Sequence, residues 1–277
     1  MLNIGCHLSS ADGFKAMALT AKKIGANTFQ YFTRNPRGCV AKPIDKEDIS
    51  EFLKIYKEEN FAPIVAHCPY TLNLCSAKEN IRNFSKSVFK DDITRTDLIP
   101  GSFYNFHPGS HTGQGVEIGI KQICNALNEI ITPEQKTTIL LETMAGKGSE
   151  IGGKFEELRK IIDNINIKEK IGVCLDTCHI FDGGYDIVSN LEGVIEEFDK
   201  VIGFDRLYVI HLNDSKNILG SKKDRHEMIG KGNIGIKAIE KIINHSKFKD
   251  LVFILETPQE SLSGYAKEIE MLKTFRK

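Results

Sequence analysis

Nine side chains of metal-ligating type stand out in this sequence by where they fall. Five are histidines (His67, His107, His179, His211 and His226) and four are carboxylates (Glu142, Asp176, Asp224 and Glu256). Six of them close short apolar runs: Ala62-Pro-Ile-Val-Ala-His67, Phe103-Tyr-Asn-Phe-His107, Thr138-Ile-Leu-Leu-Glu142, Ile171-Gly-Val-Cys-Leu-Asp176, Leu207-Tyr-Val-Ile-His211 and Leu251-Val-Phe-Ile-Leu-Glu256. Asp176-Thr-Cys-His179 adds an imidazole three residues beyond a strand exit. Asp224-Arg-His226 sets two ligand types at alternate positions, which share a face if the chain there is extended.

A catalytic zinc takes about three protein ligands and keeps one position open, so nine ligands suit about three ions, with one carboxylate bridging two of them. Mixed imidazole and carboxylate ligation suits Zn²⁺, and also Mn²⁺ or Fe²⁺. Three divalent ions against four carboxylates leave a charge of about +2, which draws an anion, phosphate above all. Clustered metals activate water, neutralise phosphate oxygens and stabilise a leaving alkoxide together.

Positioning such a set requires strands that all point their C-terminal ends at one centre. Runs of about five apolar residues rich in Val, Ile and Phe read as buried parallel strands. Leu2-Asn-Ile-Gly-Cys-His7 and Thr28-Phe-Gln-Tyr-Phe32 complete a set of eight. Helical apolar spacing lies between them, over Phe14 to Ile24, Asp45 to Asn60, Gly115 to Ile131, Lys154 to Ile165, Leu191 to Ile202, Ile234 to Ile243 and Tyr265 to Phe275. Ala77 to Ile99 is polar and reads less clearly as a helix. Eight alternations of strand and helix predict an α/β fold: a single (β/α)₈ TIM barrel over residues 1–277, with its site at the C-terminal ends of the strands. Gly-rich and Pro-rich segments follow the strands, where a barrel carries its binding loops. Gly146-Lys-Gly148 lacks the full spacing of a phosphate loop.

Bulk properties narrow the class. The 277 residues are 41% hydrophobic and 27% charged, with 37 basic against 37 acidic side chains. No apolar stretch is long enough to span a membrane, and the start lacks the pattern of a secretion signal. A cytoplasmic protein is expected, nucleoid-associated in a bacterium. Seven cysteines, an odd number without a Cys-x-x-Cys pair, indicate reduced thiols rather than a disulfide framework. Neutral charge means that any nucleic-acid binding depends on local patches or on metal ions.

Taken in order, the motifs resemble the endonuclease IV family of apurinic/apyrimidinic (AP) endonucleases, AP endonuclease family 2. The segments are Gly5-Cys-His-Leu-Ser9, Phe32-Thr-Arg-Asn35, His67-Cys-Pro-Tyr-Thr-Leu-Asn-Leu74, Asn105-Phe-His-Pro-Gly-Ser110, Leu141-Glu-Thr143, Cys174-Leu-Asp-Thr-Cys-His-Ile-Phe181, His211-Leu-Asn-Asp-Ser215, Asp224-Arg-His226 with Ile229-Gly-Lys-Gly232, and Leu255-Glu-Thr-Pro258. Any one is weak; the ordered set covers nearly the whole chain.

The resemblance implies three zinc ions per chain. His67, His107 and Glu142 would hold the first; Asp176, His211 and Glu256 the second, with Glu142 bridging; His179, Asp224 and His226 the third. It implies cleavage of the phosphodiester 5′ to an abasic site in double-stranded DNA, leaving a 3′-hydroxyl and a 5′-deoxyribose phosphate. Trimming of blocked 3′ ends, as 3′-phosphatase and phosphodiesterase, is implied too. The attacking species would be a zinc-activated hydroxide held by Glu142 and Glu256. Arg37 and Tyr70 match positions that enter DNA at the lesion, whereas Thr71 replaces a usual bulky apolar residue. Lys90 to Pro100 departs most from the family, which has a more regular amphipathic helix there. A monomer is expected.

Other residues have plainer readings. His7 also ends a strand and is expected to hydrogen-bond a ligand rather than act as one. His111 and His245 read as surface residues, and Cys68 and Cys178 as packing residues whose side chains point away from the metals. Arg34 to Arg37 and Lys222 to Lys231 supply positive charge for DNA. Two rival functions are a sugar isomerase or epimerase resembling xylose isomerase, which shares ligand types at positions like 142, 176, 211 and 256 but needs only one or two metals, and a non-catalytic damage binder.

Overall fold

In the computed structural model, which describes residues 1–37 and 39–277, all eight apolar runs become strands of one closed barrel. They are β1 (Asn3–Leu8), β2 (Gln30–Phe32), β3 (Val65–His67), β4 (Phe103–Phe106), β5 (Thr138–Glu142), β6 (Ile171–Asp176), β7 (Leu207–His211) and β10 (Val252–Leu255). Every neighbouring pair is parallel, and β10 beside β1 closes the ring. The expected TIM barrel is therefore the observed fold.

The barrel interior follows from the period of two along each strand. Val65, Leu140, Cys174, Val209 and Ile254 belong to a small apolar cluster distinct from the main core. Each lies two residues before a ligand-type residue: His67, Glu142, Asp176, His211 and Glu256 respectively. One inward-facing layer thus plugs the barrel, and the next layer towards the strand C-termini carries the chemistry. Gly172 on β6 makes room for this plug, since a Cβ there would lie 2.4 Å from the Tyr208 ring.

The main core fills the space between strands and helices. The helices are α1 (Gly13–Lys23), α2 (Lys46–Glu58), α3 (Glu79–Thr96), α4 (Val116–Ile130), α5 (Phe155–Asp163), α6 (Thr177–Gly183), α7 (Leu191–Val201), α8 (Gly235–Asn244) and α9 (Leu262–Phe275). α5 buries Phe155, Leu158, Ile161 and Ile162, the one-sided stripe of an amphipathic helix. Fully buried Phe29, Phe52, Phe89, Phe155 and Phe198 each contribute about 1.5–3 kcal/mol by leaving water.

Three local features depart from expectation. α3 is a regular helix of 18 residues, although its sequence reads as polar. Its buried stripe holds Ser85, Val88, Phe89, Asp92, Ile93 and Thr96, so half the inward positions are polar and periodicity is masked. α6 begins immediately after β6, with Asp176 as its N-cap. Beyond β7 lies a short antiparallel ribbon, β8 (Asp214–Ser215) with β9 (His226–Glu227). Among the described residues no helix is long and apolar enough to cross a membrane.

Candidate metal centre

The nine ligand-type residues form one connected cluster at the strand C-termini, and Glu142 stands at its middle. Its Oε2 lies 3.3 Å from His67 Nε2 and 3.3 Å from His107 Nε2. Its Oε1 lies 3.2 Å from His211 Nδ1 and 3.3 Å from His179 Nδ1. His211 Nδ1 also faces Glu256 Oε2 at 3.2 Å and Asp176 Oδ2 at 3.8 Å. Asp224 Oδ1 is 3.1 Å from His179 Nε2 and 3.6 Å from His226 Nε2, and His226 Nε2 is 3.6 Å from Asp176 Oδ2. Ligand atoms within 4.8 Å of one another fall into the sets His67, His107, Glu142; Glu142, Asp176, His211, Glu256; and Asp176, His179, His226. Asp176 thus approaches the third set as well as the second, and Asp224 joins through His226 in a set with Cys178.

The histidine ring nitrogens divide their work. His67 Nδ1 pairs with Cys68 O at 2.7 Å, His179 Nδ1 with Thr143 O at 2.9 Å, His226 Nδ1 with Glu256 O at 3.3 Å, and His211 Nε2 with Gln30 Oε1 at 2.8 Å. An oxygen acceptor fixes a proton on that nitrogen and turns the other nitrogen towards the carboxylates, where in the neutral imidazole it carries the lone pair that a metal would take. His226 Nε2 is buried without a hydrogen-bond partner among the described residues. The carboxylates are oriented too. Asn105 Nδ2 donates to Glu142 Oε2 at 2.6 Å, Asn213 Nδ2 to Asp176 Oδ2 at 2.8 Å, and Gln30 Nε2 to Glu256 Oε1 at 2.6 Å. Sequence reasoning missed Gln30, Asn105 and Asn213. The first two are polar residues inside apolar strand runs, which is the signal that marks them.

Electrostatics follow from this geometry. Burial opposes ionisation of Glu142, yet the imidazoles of His107 and His211 hold its carboxyl well below the usual range. Glu256 behaves alike: burial opposes ionisation and His211 outweighs it. Burial lowers the imidazole pKa at His107, His179 and His211, but neighbouring carboxylates, and Cys174 beside His211, drive all three upward. His7 goes the other way, because burial dominates over its contact with Glu256. Concentrated negative charge gathered round inward-facing nitrogens is a donor set for cations.

Buried carboxylates hold the loops that complete the cluster. Asp176 Oδ1 accepts from His179 N at 2.8 Å, so the N-cap of α6 sets His179 beside Asp176. Asp182 accepts from Ser215 Oγ, Asn217 Nδ2 and Asp224 N at 2.6, 2.9 and 2.9 Å, fixing the start of the Asp224 segment. Asp214 accepts from Gly230 N, Gly232 N and Ile234 N at 3.0, 3.0 and 2.9 Å, gathering the Gly230-Lys-Gly232 turn. Asp224 has φ +57°, so the Asp224-Arg-His226 stretch is not simply extended. Its two side chains meet through a left-handed turn at Asp224 rather than through strand alternation.

Other expectations fare unevenly. Tyr70 is 60% exposed at the rim, with its ring 5.5 Å from His67, 5.7 Å from His107 and 5.0 Å from Phe32. Arg37 is exposed on the loop after β2. Arg34 is not available to DNA: its side chain is 7% exposed and ion-paired with Asp91 and Asp92. Lys222, Lys223 and Lys231 are exposed. His7 hydrogen-bonds Gln30, which holds ligands, rather than a ligand itself: its Nδ1 lies 3.1 Å from Gln30 Nε2 and 3.7 Å from Glu256 Oε1. His111 and His245 are half-buried rather than superficial; His111 Nδ1 accepts from Gly115 N, and His245 Nε2 lies 3.3 Å from Glu192 Oε1. Cys68 is buried. Cys178 does not point away: its Sγ lies within 4.8 Å of ligand atoms of Asp224 and His226. Burial pushes that thiol pKa up, against the thiolate a metal requires.

The family described as xylose isomerase-like TIM barrel matches residues 19–275. A protein from Clostridium beijerinckii named probable endonuclease 4 is 60% identical, the alignment covering 99% of each chain. The crystal structure of endonuclease IV from Thermus thermophilus superposes with a TM-score of 0.88 at 29% identity, covering 99% of this chain and 98% of that one. A D-tagatose 3-epimerase-like protein gives a TM-score of 0.71 at 19% identity over 99% of this chain and 97% of that one, a likeness of fold alone. The chain belongs to the endonuclease IV family of the xylose isomerase-like TIM barrels.

Proposed function

We propose that the protein is a zinc-dependent AP endonuclease of DNA repair. It hydrolyses the phosphodiester 5′ to abasic sites in double-stranded DNA, leaving a 3′-hydroxyl and a 5′-deoxyribose phosphate. It also removes phosphate and phosphodiester blocks from 3′ ends. The whole chain works as one domain and as a monomer, in the cytoplasm where the DNA is. The observation that carries this reading is the histidine arrangement: four imidazoles are held by an oxygen acceptor on one nitrogen and present the other to carboxylates of the cluster.

The residues present fit metal ions. With metal–ligand bonds of about 2.1 Å, neighbouring ligand atoms of a tetrahedral site stand about 3.4 Å apart. The nitrogen–oxygen separations in the cluster run from 3.1 Å at His179–Asp224 to 3.8 Å at His211–Asp176. His67, His107 and Glu142 would hold one zinc; Asp176, His211 and Glu256 with Glu142 a second; His179, Asp224 and His226 a third, with Asp176 alongside. Bound divalent ions supply a water of lowered pKa and positive charge for phosphate oxygens.

The chain's own residues do the rest. Glu142, with an oxygen towards each of two ligand sets, keeps those sets in register. Glu256, held by Gln30, orients the nucleophile's side of the site. Asn105, Asn213 and Gln30 lock the carboxylates before substrate arrives. An abasic nucleotide has no base to unstack, so turning it into a deep site costs less than turning out a normal one. Tyr70 at the rim and Arg37 on its loop occupy the gap left in the duplex.

A sugar isomerase on the same fold has no use for the third set of ligands. The deciding experiment is incubation with a duplex carrying one abasic analogue, with and without a strong chelator, and mapping of the ends. A single cut 5′ to the lesion that the chelator abolishes supports the reading; an intact duplex overturns it.

A further inference from the structure

The loop that carries Arg37 is fastened to α3 by a buried ionic clamp. Arg34 Nε donates to Asp92 Oδ1 at 2.8 Å, its second terminal nitrogen to Asp91 Oδ2 at 2.5 Å, and its first to Cys39 O at 3.0 Å. Arg95 adds a second strap, donating to Asp91 Oδ2 at 2.7 Å and to Lys42 O at 2.8 Å. Asp92 is fully buried and takes a further hydrogen bond from Tyr104 Oη at 2.8 Å. Two guanidinium groups and two carboxylates cancel in charge, so Arg34 offers nothing to a phosphate. Its planar fork serves geometry instead.

The two ends of the clamped segment are hydrogen-bonded to each other. Asn35 N donates to Val40 O at 3.1 Å and Cys39 N to Asn35 O at 2.9 Å, placing Pro36 and Arg37 within the turn. Arg37 N donates to Asn35 Oδ1 at 2.9 Å. Cys39 Sγ meets Thr71 Oγ1 at 3.0 Å, which ties the loop to the segment bearing Tyr70. At its other end the same segment begins with Gln30, which holds His211 and Glu256. Asp92, one of the polar residues that mask α3 in the sequence, is thus part of the footing of this loop, together with Asp91 and Arg95.

We propose that Arg34, Asp91, Asp92 and Arg95 are positioning residues for lesion recognition: they hold the Arg37 loop in its DNA-engaging shape before DNA arrives. This rests on the proposed AP endonuclease activity, and its test has one arm free of that activity. Ordering the loop in advance spares the cost of ordering it on binding, so the clamp acts on substrate affinity rather than on the chemical step.

Asp91→Asn is the variant of choice, because the Asp91 side chain is 48% exposed and Asn keeps its shape while removing the charge; Arg34→Gln is the stronger companion. In the free protein, amide hydrogen exchange at Asn35 and Cys39 should accelerate about tenfold or more, with β5 and β6 unchanged. On an abasic duplex, KM should rise about tenfold while kcat stays within about twofold, and the increase should vanish in an Arg37→Ala background. Unchanged loop exchange overturns the proposal, as do losses that add fully to those of Arg37→Ala. Should the wild-type protein leave abasic duplex uncut, the proposed function falls, and the exchange result still decides the clamp.

Discussion

Glu142 Oε1 and His211 Nδ1 meet at 3.2 Å beneath the mouth of the barrel, while the other oxygen of the same carboxylate faces His67 and His107. One fully buried side chain therefore joins two ligand sets carried at the ends of strands β3, β4, β5, β6, β7 and β10. Removing its charge should separate them. Glu142→Gln keeps shape and volume, so the fold should persist by circular dichroism. Incision should fall by several kcal/mol of transition-state stabilisation, on the order of 10²–10³-fold. Activity within a few-fold of wild type would contradict the bridging role.

Asn105 tests the support beneath that carboxylate. It is fully buried and donates to Glu142 Oε2 at 2.6 Å. Loss of such a partner commonly costs about 10–100-fold in metal affinity. Asn105→Ala should weaken metal retention by that factor in a chelator competition, with folding retained. Unaltered retention would show that Glu142 needs no orienting partner.

Tyr70 at the rim and Arg37 on the loop after β2 should be separable from metal binding. Tyr70→Ala should remove an aromatic surface worth about 1–3 kcal/mol against a base or sugar edge, and Arg37→Ala a cation at the lesion. Both should weaken binding of abasic duplex in a fluorescence titration while elemental analysis stays at the wild-type value. Wild-type affinity in both variants would remove these residues from the recognition surface.

Salt dependence tests how a neutral chain holds a polyanion. Arg34 is committed to the clamp, which leaves Arg37, Lys222, Lys223 and Lys231 as exposed loop cations from the sequence reading. About four phosphate contacts give a slope of roughly −3 to −4 in log affinity against log salt. A slope steeper than about −7 would require a basic surface that these residues do not form.

Most of this site was legible in the sequence because its ligands end strands, and strands announce themselves by apolar runs. β5, β6 and β7 have the bounds of the runs Thr138–Glu142, Ile171–Asp176 and Leu207–His211. What escaped was whatever depends on tertiary contact. Asp92 is buried on α3 only because Arg34 and Tyr104 reach it, so the helix lost its apolar signature. Nothing in the sequence singled out Asp182 or Asp214, yet each is fully buried and gathers groups from distant turns. Asp224 turns left-handed, which alternate spacing does not reveal.

Incision rate against zinc added back to metal-stripped protein tests the central claim most directly. The ligand sets around Glu142, His211 and His226 predict that the rate on abasic duplex stays low through the first equivalents. It should reach its plateau near three zinc ions per chain, with the cut 5′ to the lesion throughout. A full rate at one equivalent, or a rate unaffected by stripping, would contradict the trinuclear account.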